Sequence, residues 1–267
     1  MTLNSSLYYL HAVVPARDAT IGGEGLRGSG TIGAVRINDL AVLYTDLGEI
    51  GLDAAQMEAE MATADGGEAL VRQHQDLMCG LRDQATALLP FPFCTLYRNL
   101  DHVAEMLRLH GAVFRVALSR IAGAAEWSVQ LVREDDGPPA QDLDDEAARA
   151  LRAEMEAAAP GRRFLLQQSY ERTLKDHRRS RLAERISTFH RDLGAVSREA
   201  VQLAHGGVDS ARRMAFKGAY LVADDSQERF LEKLDDRAGQ LARDGWKTVV
   251  QGPWPAYSFI SLEEDAA

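Results

Sequence analysis

Cysteine is scarce in this chain of 267 residues, with only Cys79 and Cys94. They form no Cys-x-x-Cys pair, and no His-x-x-x-His accompanies them, so the spacing of a structural zinc site or a dithiol redox centre is missing. Two free thiols suit a reducing compartment. Long apolar runs are missing too. No uncharged stretch approaches the ~20 residues of a membrane span. Residues Met1-Thr2-Leu3-Asn4-Ser5-Ser6 lack the basic and apolar regions of a signal peptide. A cytoplasmic location is expected. Basic charge is also in deficit, with 30 Lys and Arg against 40 Asp and Glu, a net charge of −10. That balance repels phosphate backbones and anionic lipid, so neither nucleic acid nor a membrane is an expected partner. Nucleotide loops are absent as well. Gly23-x-Gly25-x-x-Gly28 spells a dinucleotide-type fingerprint, but a strand follows where a helix must open to hold a pyrophosphate. No cofactor, metal or catalytic set is expected.

With 46% hydrophobic and 26% charged residues, the composition is that of an ordinary globular protein, long enough for one large or two modest domains. Leu7–Val14 is apolar, aromatic and β-branched, and reads as a buried strand stopping at Pro15. Ile32–Ile37 and Leu40–Tyr44 flank Asn38-Asp39, residues that tolerate tight hairpin turns, and form a β-hairpin. Asp46 to Gly67 reads as a polar connection. Leu70, Leu77, Met78, Leu81, Ala85, Leu88 and Leu89 then mark one face of a helix that also carries His74, expected to be structural. Leu88–Tyr97 is a short strand introduced by prolines. Asn99 caps a second helix with Val103, Met106, Leu107, Phe114, Ala117, Leu118 and Ile121, and Glu126–Val132 alternates like a strand. The order predicts an α+β fold: a ferredoxin-like βαβ sandwich with an extra strand over residues 1–136, helices on one face of its sheet.

Asp135–Pro139 reads as a polar linker, and residues 137–267 as a C-terminal domain of long helices plus a βαβ unit. A helix from Asp142 to Ala159 is interrupted at Pro160-Gly161. A second is expected from Arg162 to about Ala204, with Leu182, Ile186, Phe189, Leu193, Val196, Ala200 and Leu203 as a coiled-coil-like seam, either continuous or bent at Gly194. Leu166, Tyr170 and Leu174 make a separate stripe. The basic cluster Lys175, His177, Arg178, Arg179 and Arg181 reads as a solvated face with helix ion pairs. Gly206-Gly207 breaks the helix, Met214–Val222 is a strand, Phe230, Leu234, Ala238 and Leu241 lie on a helix, and Trp246–Val250 is a strand. Acidic pairs Asp144/Asp145 and Asp224/Asp225 fall in linker or cap positions.

Near its end the chain reads Gly252-Pro253-Trp254-Pro255-Ala256-Tyr257-Ser258-Phe259. Two prolines that donate no hydrogen bond exclude a helix or central strand here. A kinked, extended entry delivers Trp254, Tyr257 and Phe259 into a core or a partner groove. Together with Leu7–Val14, His74 and the Leu-Leu-Pro-Phe-Pro-Phe-Cys-Thr segment at 88–95, Glu126-Trp127-Ser128-Val129, and Pro160–Leu165, this ending resembles the gas-vesicle accessory family GvpF/GvpL. Two positions depart from it: Pro92, where the family commonly has arginine, and Cys94, where it has glycine.

The resemblance implies a non-catalytic accessory protein of gas vesicle assembly. It would bind the small hydrophobic shell protein and other accessory proteins during nucleation or growth of the vesicle. Phe91, Phe93, Trp254 and Tyr257 are the candidate partner contacts, since exposed apolar grooves or sheet edges suit a sticky subunit. The alternatives are a minor component retained on the vesicle and a ferredoxin-like small-molecule-binding protein using a pocket histidine such as His11 or His74.

Overall fold

The computed structural model describes residues 7–20, 24–28, 30–133, 146–204 and 213–260. The expected linker Asp135–Pro139, the pair Asp144/Asp145, the helix start at Asp142, the break at Gly206-Gly207 and Gly23 of the fingerprint lie outside the described residues. The fold class is the α+β one expected from the pattern.

Packing divides the chain into two units: 1–127 with 221–224 and 251–267, and 128–220 with 225–250. The first unit is built on an antiparallel sheet. Strand β1 (Tyr8–Pro15) pairs with β3 (Leu40–Asp46), and β3 pairs with β2 (Ile32–Ile37) through the expected hairpin. Asn38 there takes a φ of 55°, the left-handed turn geometry that Asn tolerates. The expected strand at 88–97 is split into β4 (Leu89–Pro90) and β5 (Leu96–Tyr97), each antiparallel to β1.

The connection after β3 holds a helix that composition hid. Asp53 and Gln56 form a reciprocal capping box that opens α1 (Ala54–Met61). Thr63 then caps α2 (Ala64–Gln84), which buries Leu70, His74, Met78 and Leu81. Met78 and Leu81 pack with Ala12, Val14, Ala41 and Leu43. Leu70 packs with Tyr9 and Leu47. The second long helix, α3 (Leu100–Ile121), buries Val103, Leu107, Gly111, Phe114, Leu118 and Ile121. Its Gly111 approaches Leu40, whose side chain alternates to the face opposite Ala41 and Leu43. Helices therefore cover both faces rather than the one face expected, which is why β1 is buried almost without interruption.

The strand expected at 126–132 is β6 (Ala124–Arg133). It does not join the first sheet but a second one, of order β7-β8-β6-β9, with β7 (Glu199–Gln202), β8 (Arg213–Ala223) and β9 (Lys247–Trp254). Strand β9 lies at the edge, where Pro253 costs no ladder bond. Gly252 there has a φ of +142°, and a Cβ on it would sit 2.8 Å from the Glu126 carbonyl, so glycine is required. Tyr257–Phe259 is a 3-10 turn rather than an alternating strand.

The second unit contains α4 (Glu146–Ala157), α5 (Pro160–Gly194) and α6 (Gln227–Ala242). Pro160 does not merely interrupt: it occupies the first turn of α5, where its missing N–H costs nothing. The helix expected to reach Ala204 ends at Gly194. The backbone N–H groups of Val196 and Ser197 donate back to the carbonyls of Leu193 and Gly194 in a closing turn, and Ser197 Oγ donates to the Leu193 carbonyl. Beyond it, residues 199–202 alternate as β7, and Leu203 donates to Lys217. Val196, Ala200 and Leu203 thus leave the supposed seam; Phe189 and Leu193 alone of its members are buried. They join Phe216, Tyr220, Phe230, Leu234 and Leu241 in the core, where His190 Nδ1 lies 2.9 Å from the Tyr220 hydroxyl.

Candidate functional site

Residues 257 and 258 are anchored, within the first unit, on residues from four other parts of the chain. His74 follows Leu70 by one helical turn and precedes Met78 by another, so α2 carries it onto the buried face, where it is 5% exposed. With no charged partner, burial lowers its pKa to about 4 and keeps it neutral at pH 7.

Both ring nitrogens are used. Nδ1 lies 3.0 Å from the Tyr9 hydroxyl and Nε2 3.0 Å from the Tyr257 hydroxyl. The Cys94 backbone N–H donates to Tyr9 Oη at 2.9 Å, so the Tyr9 hydroxyl proton is assigned to Nδ1 and the imidazole proton to Nε2, which donates to Tyr257. The Phe93 ring meets the imidazole edge-on, centroids 5.4 Å apart. One residue past Tyr257, the backbone N–H and hydroxyl of Ser258 both donate to the buried Glu126 carboxylate at 2.7 Å. A helix, two strands, a loop and the chain's ending are tied together by one neutral imidazole and one carboxylate.

Burial raises the pKa of both tyrosines, so neither hydroxyl offers a phenolate at neutral pH. An imidazole with both nitrogens engaged and a pKa near 4 is a poor general base at pH 7. The arrangement suits holding segments in register rather than moving protons. Among the described residues no group of three His, Cys, Asp or Glu side chains could hold a metal ion. A cleft lined by Arg82, Thr86, Asp224 and Pro255 has room for roughly one water. His11, the other histidine considered for a ligand pocket, is fully buried with Nε2 2.8 Å from Thr45 Oγ1. No helix among the described residues is long and apolar enough to cross a membrane.

Of the four expected contacts, Phe93 and Tyr257 meet at His74, each half-buried. Trp254 is half-buried at the end of β9. Phe91 is buried, its N–H donating to the His11 carbonyl at 2.8 Å. Tyr9, Glu126 and Ser258 were missed as site residues. Glu126 carried a signal: a carboxylate between Ala125 and Trp127 in an apolar strand needs a buried partner.

Cys94 explains one departure from the family pattern. Its φ is +64°, a left-handed geometry that an L side chain adopts at a cost of about 1 kcal/mol and glycine freely. The N–H bond to Tyr9 needs no side chain, and the half-buried thiol adds only partial packing against the Tyr9 and Leu70 cluster to offset the backbone cost. Cys94→Gly is expected to leave stability unchanged or raise it by up to about 1 kcal/mol in urea unfolding. A loss of more than that would show the thiol itself to be structural. The other departure, Pro92, is exposed.

The chain is 26% identical to gas vesicle protein L of a Streptomyces species over 97% of its length and 94% of that protein's. It is 27% identical to gas vesicle protein L of Haloferax mediterranei over 71% of its length, but spans only 60% of that relative. Gas vesicle protein L1 of Halobacterium salinarum is 24% identical over 86% of this chain. In fold it is similar to crystal structures of GvpF from Anabaena sp. PCC7120 (TM-score 0.65, 18% identity, 97% of this chain and 98% of that one). GvpF from Microcystis aeruginosa gives a TM-score of 0.64 at 16% identity, covering 97% of this chain and all of that one. The family profile described as gas vesicle synthesis protein GvpL/GvpF matches residues 7–261, and the chain belongs to that family.

Proposed function

We propose that this gas vesicle accessory protein is a non-catalytic assembly factor, cytoplasmic and vesicle-associated, that binds the hydrophobic shell protein and other accessory proteins during vesicle nucleation or growth. The observation that carries this reading is the anchored ending. Glu126 and His74 fix Ser258 and Tyr257, and so hold three partly exposed aromatics, Phe93, Trp254 and Tyr257, on a rigid support. Rigid aromatics bind apolar partners at low entropic cost, which is how interface hot spots work. The net charge of −10 favours solubility of a complex with a sticky subunit.

The test is co-expression with the shell protein followed by affinity capture of this chain. Trp254→Ala and Phe93→Ala are expected to lower co-purified shell protein about tenfold or more; Phe93→Ala, which also removes packing on His74 and the core, lowers the melting temperature, whereas Trp254→Ala leaves it unchanged. Undiminished capture by both well-folded variants would remove these residues from the interface.

A further inference from the structure

We infer that the face of α5 turned away from α4, over residues 164–179, is a docking surface for an acidic amphipathic helix of a partner protein. This goes beyond the shell-protein reading and rests on a different unit of the chain.

The first observation is a helical hairpin without a core. Helices α4 and α5 pack together, with Arg152 against Tyr170 and Arg162 paired with Glu154. Yet no side chain between positions 149 and 188 is buried, and Leu151, Met155, Leu166, Tyr170 and Leu174 reach only half-burial. Helices in water owe most of their stability to an apolar face packed against something, and two helices that bury nothing fully leave room for a third. Phe164 and Leu165 stand 64% and 63% exposed on this hairpin.

The second observation is charge. Helix α5 carries nine basic against four acidic side chains, in a chain that is net −10. Among the described residues Arg172, Lys175, Arg178, Arg179 and Arg181 make no ion pair. At about 100° per residue, Phe164, Arg172, Lys175 and Arg179 share one side of α5, and the Leu166, Tyr170 and Leu174 stripe occupies the other. An apolar patch followed by unpaired cations complements a helix with a leucine stripe flanked by carboxylates. A short acidic helix touches this face alone. An extended polyanion or a lipid surface would also meet the acidic remainder of the chain.

The probe is a fluorescent synthetic peptide repeating Glu-Leu-Glu-Ala-Leu-Leu-Gln, titrated with the full chain at physiological salt and read by anisotropy. Saturable binding is expected, weakened about tenfold or more by the triple variant R172E/K175E/R179E and also by Phe164→Ser, with circular dichroism unchanged. The same peptide with lysine for glutamate is expected not to bind. Absent binding, equal binding of the lysine peptide, or binding that neither variant weakens would overturn the proposal. So would sedimentation showing a wild-type dimer that the variants dissolve, which assigns the face to a second copy. Capture on phosphatidylserine vesicles lost in the variants would assign it to lipid instead.

Discussion

Unfolding by urea is expected to become easier by about 3 kcal/mol between pH 6.5 and pH 5, above the range where most carboxylates take up protons. The cause is two buried histidines. His74 has its pKa lowered to about 4 and His11 to about 3, in both cases chiefly by burial, from an ordinary value of 6.5. A depressed folded-state pKa means that stability is fully present above 6.5 and is lost as the pH falls, because the unfolded chain binds protons that the folded one refuses. Well below 6.5 each histidine contributes a slope of about 1.4 kcal/mol per pH unit. Every group hydrogen-bonded to these rings, Tyr9, Tyr257 and Thr45, is neutral, so none of them stabilises the charged form. His74→Gln is expected to remove about half of the slope. Denaturation midpoints that stay level from pH 6.5 to 5 would show that the folded protein accepts these protons.

The second large effect concerns Glu126. Its carboxylate takes two hydrogen bonds from Ser258, and charge-assisted bonds of this kind contribute about 1.5–3 kcal/mol each. Glu126→Ala strands the Ser258 donors and is expected to release residues 255–260. Amide exchange there should rise on the order of a hundredfold, corresponding to about 3 kcal/mol. Ser258→Ala keeps the backbone bond and loses only the hydroxyl one, so about 1.5 kcal/mol and a roughly tenfold increase are expected. Equal effects from the two substitutions would place the anchor elsewhere.

Much of this architecture is legible in the sequence wherever one period dominates. The 3.6-residue pattern of α3 and α6 and the apolar run of β1 name their own buried faces. Helix α1 is obscured because Ala and Glu look like a connection, although Asp53-Ala-Ala-Gln56 spells its capping box. The extension of α5 past Gly194 fails for the opposite reason. Val196, Ala200 and Leu203 continue a helical spacing by coincidence, while the intervening residues alternate as β7. Helix propensity there yields to pairing with β8, a long-range effect invisible to a local pattern.

The site divides in the same way. His74 is legible as structural from its place on an apolar face. That its partners are Tyr9 and Tyr257, separated from it by 65 and 183 positions, depends on the sheet's register and on the course of the ending, which no spacing rule encodes. The motifs that mark the family are scattered in sequence, yet Tyr9, His74, Phe93, Cys94, Glu126, Tyr257 and Ser258 converge in one anchor. Together they hold Tyr257 and Ser258 in place.

The most direct measurement is deletion of this gene from a gas vesicle cluster, complemented in trans and read by flotation and electron microscopy. Loss of vesicles at normal shell-protein levels is expected, with rescue by the wild type and impaired rescue by a well-folded Trp254→Ala variant. Normal vesicles in the deletion strain would contradict the assembly role.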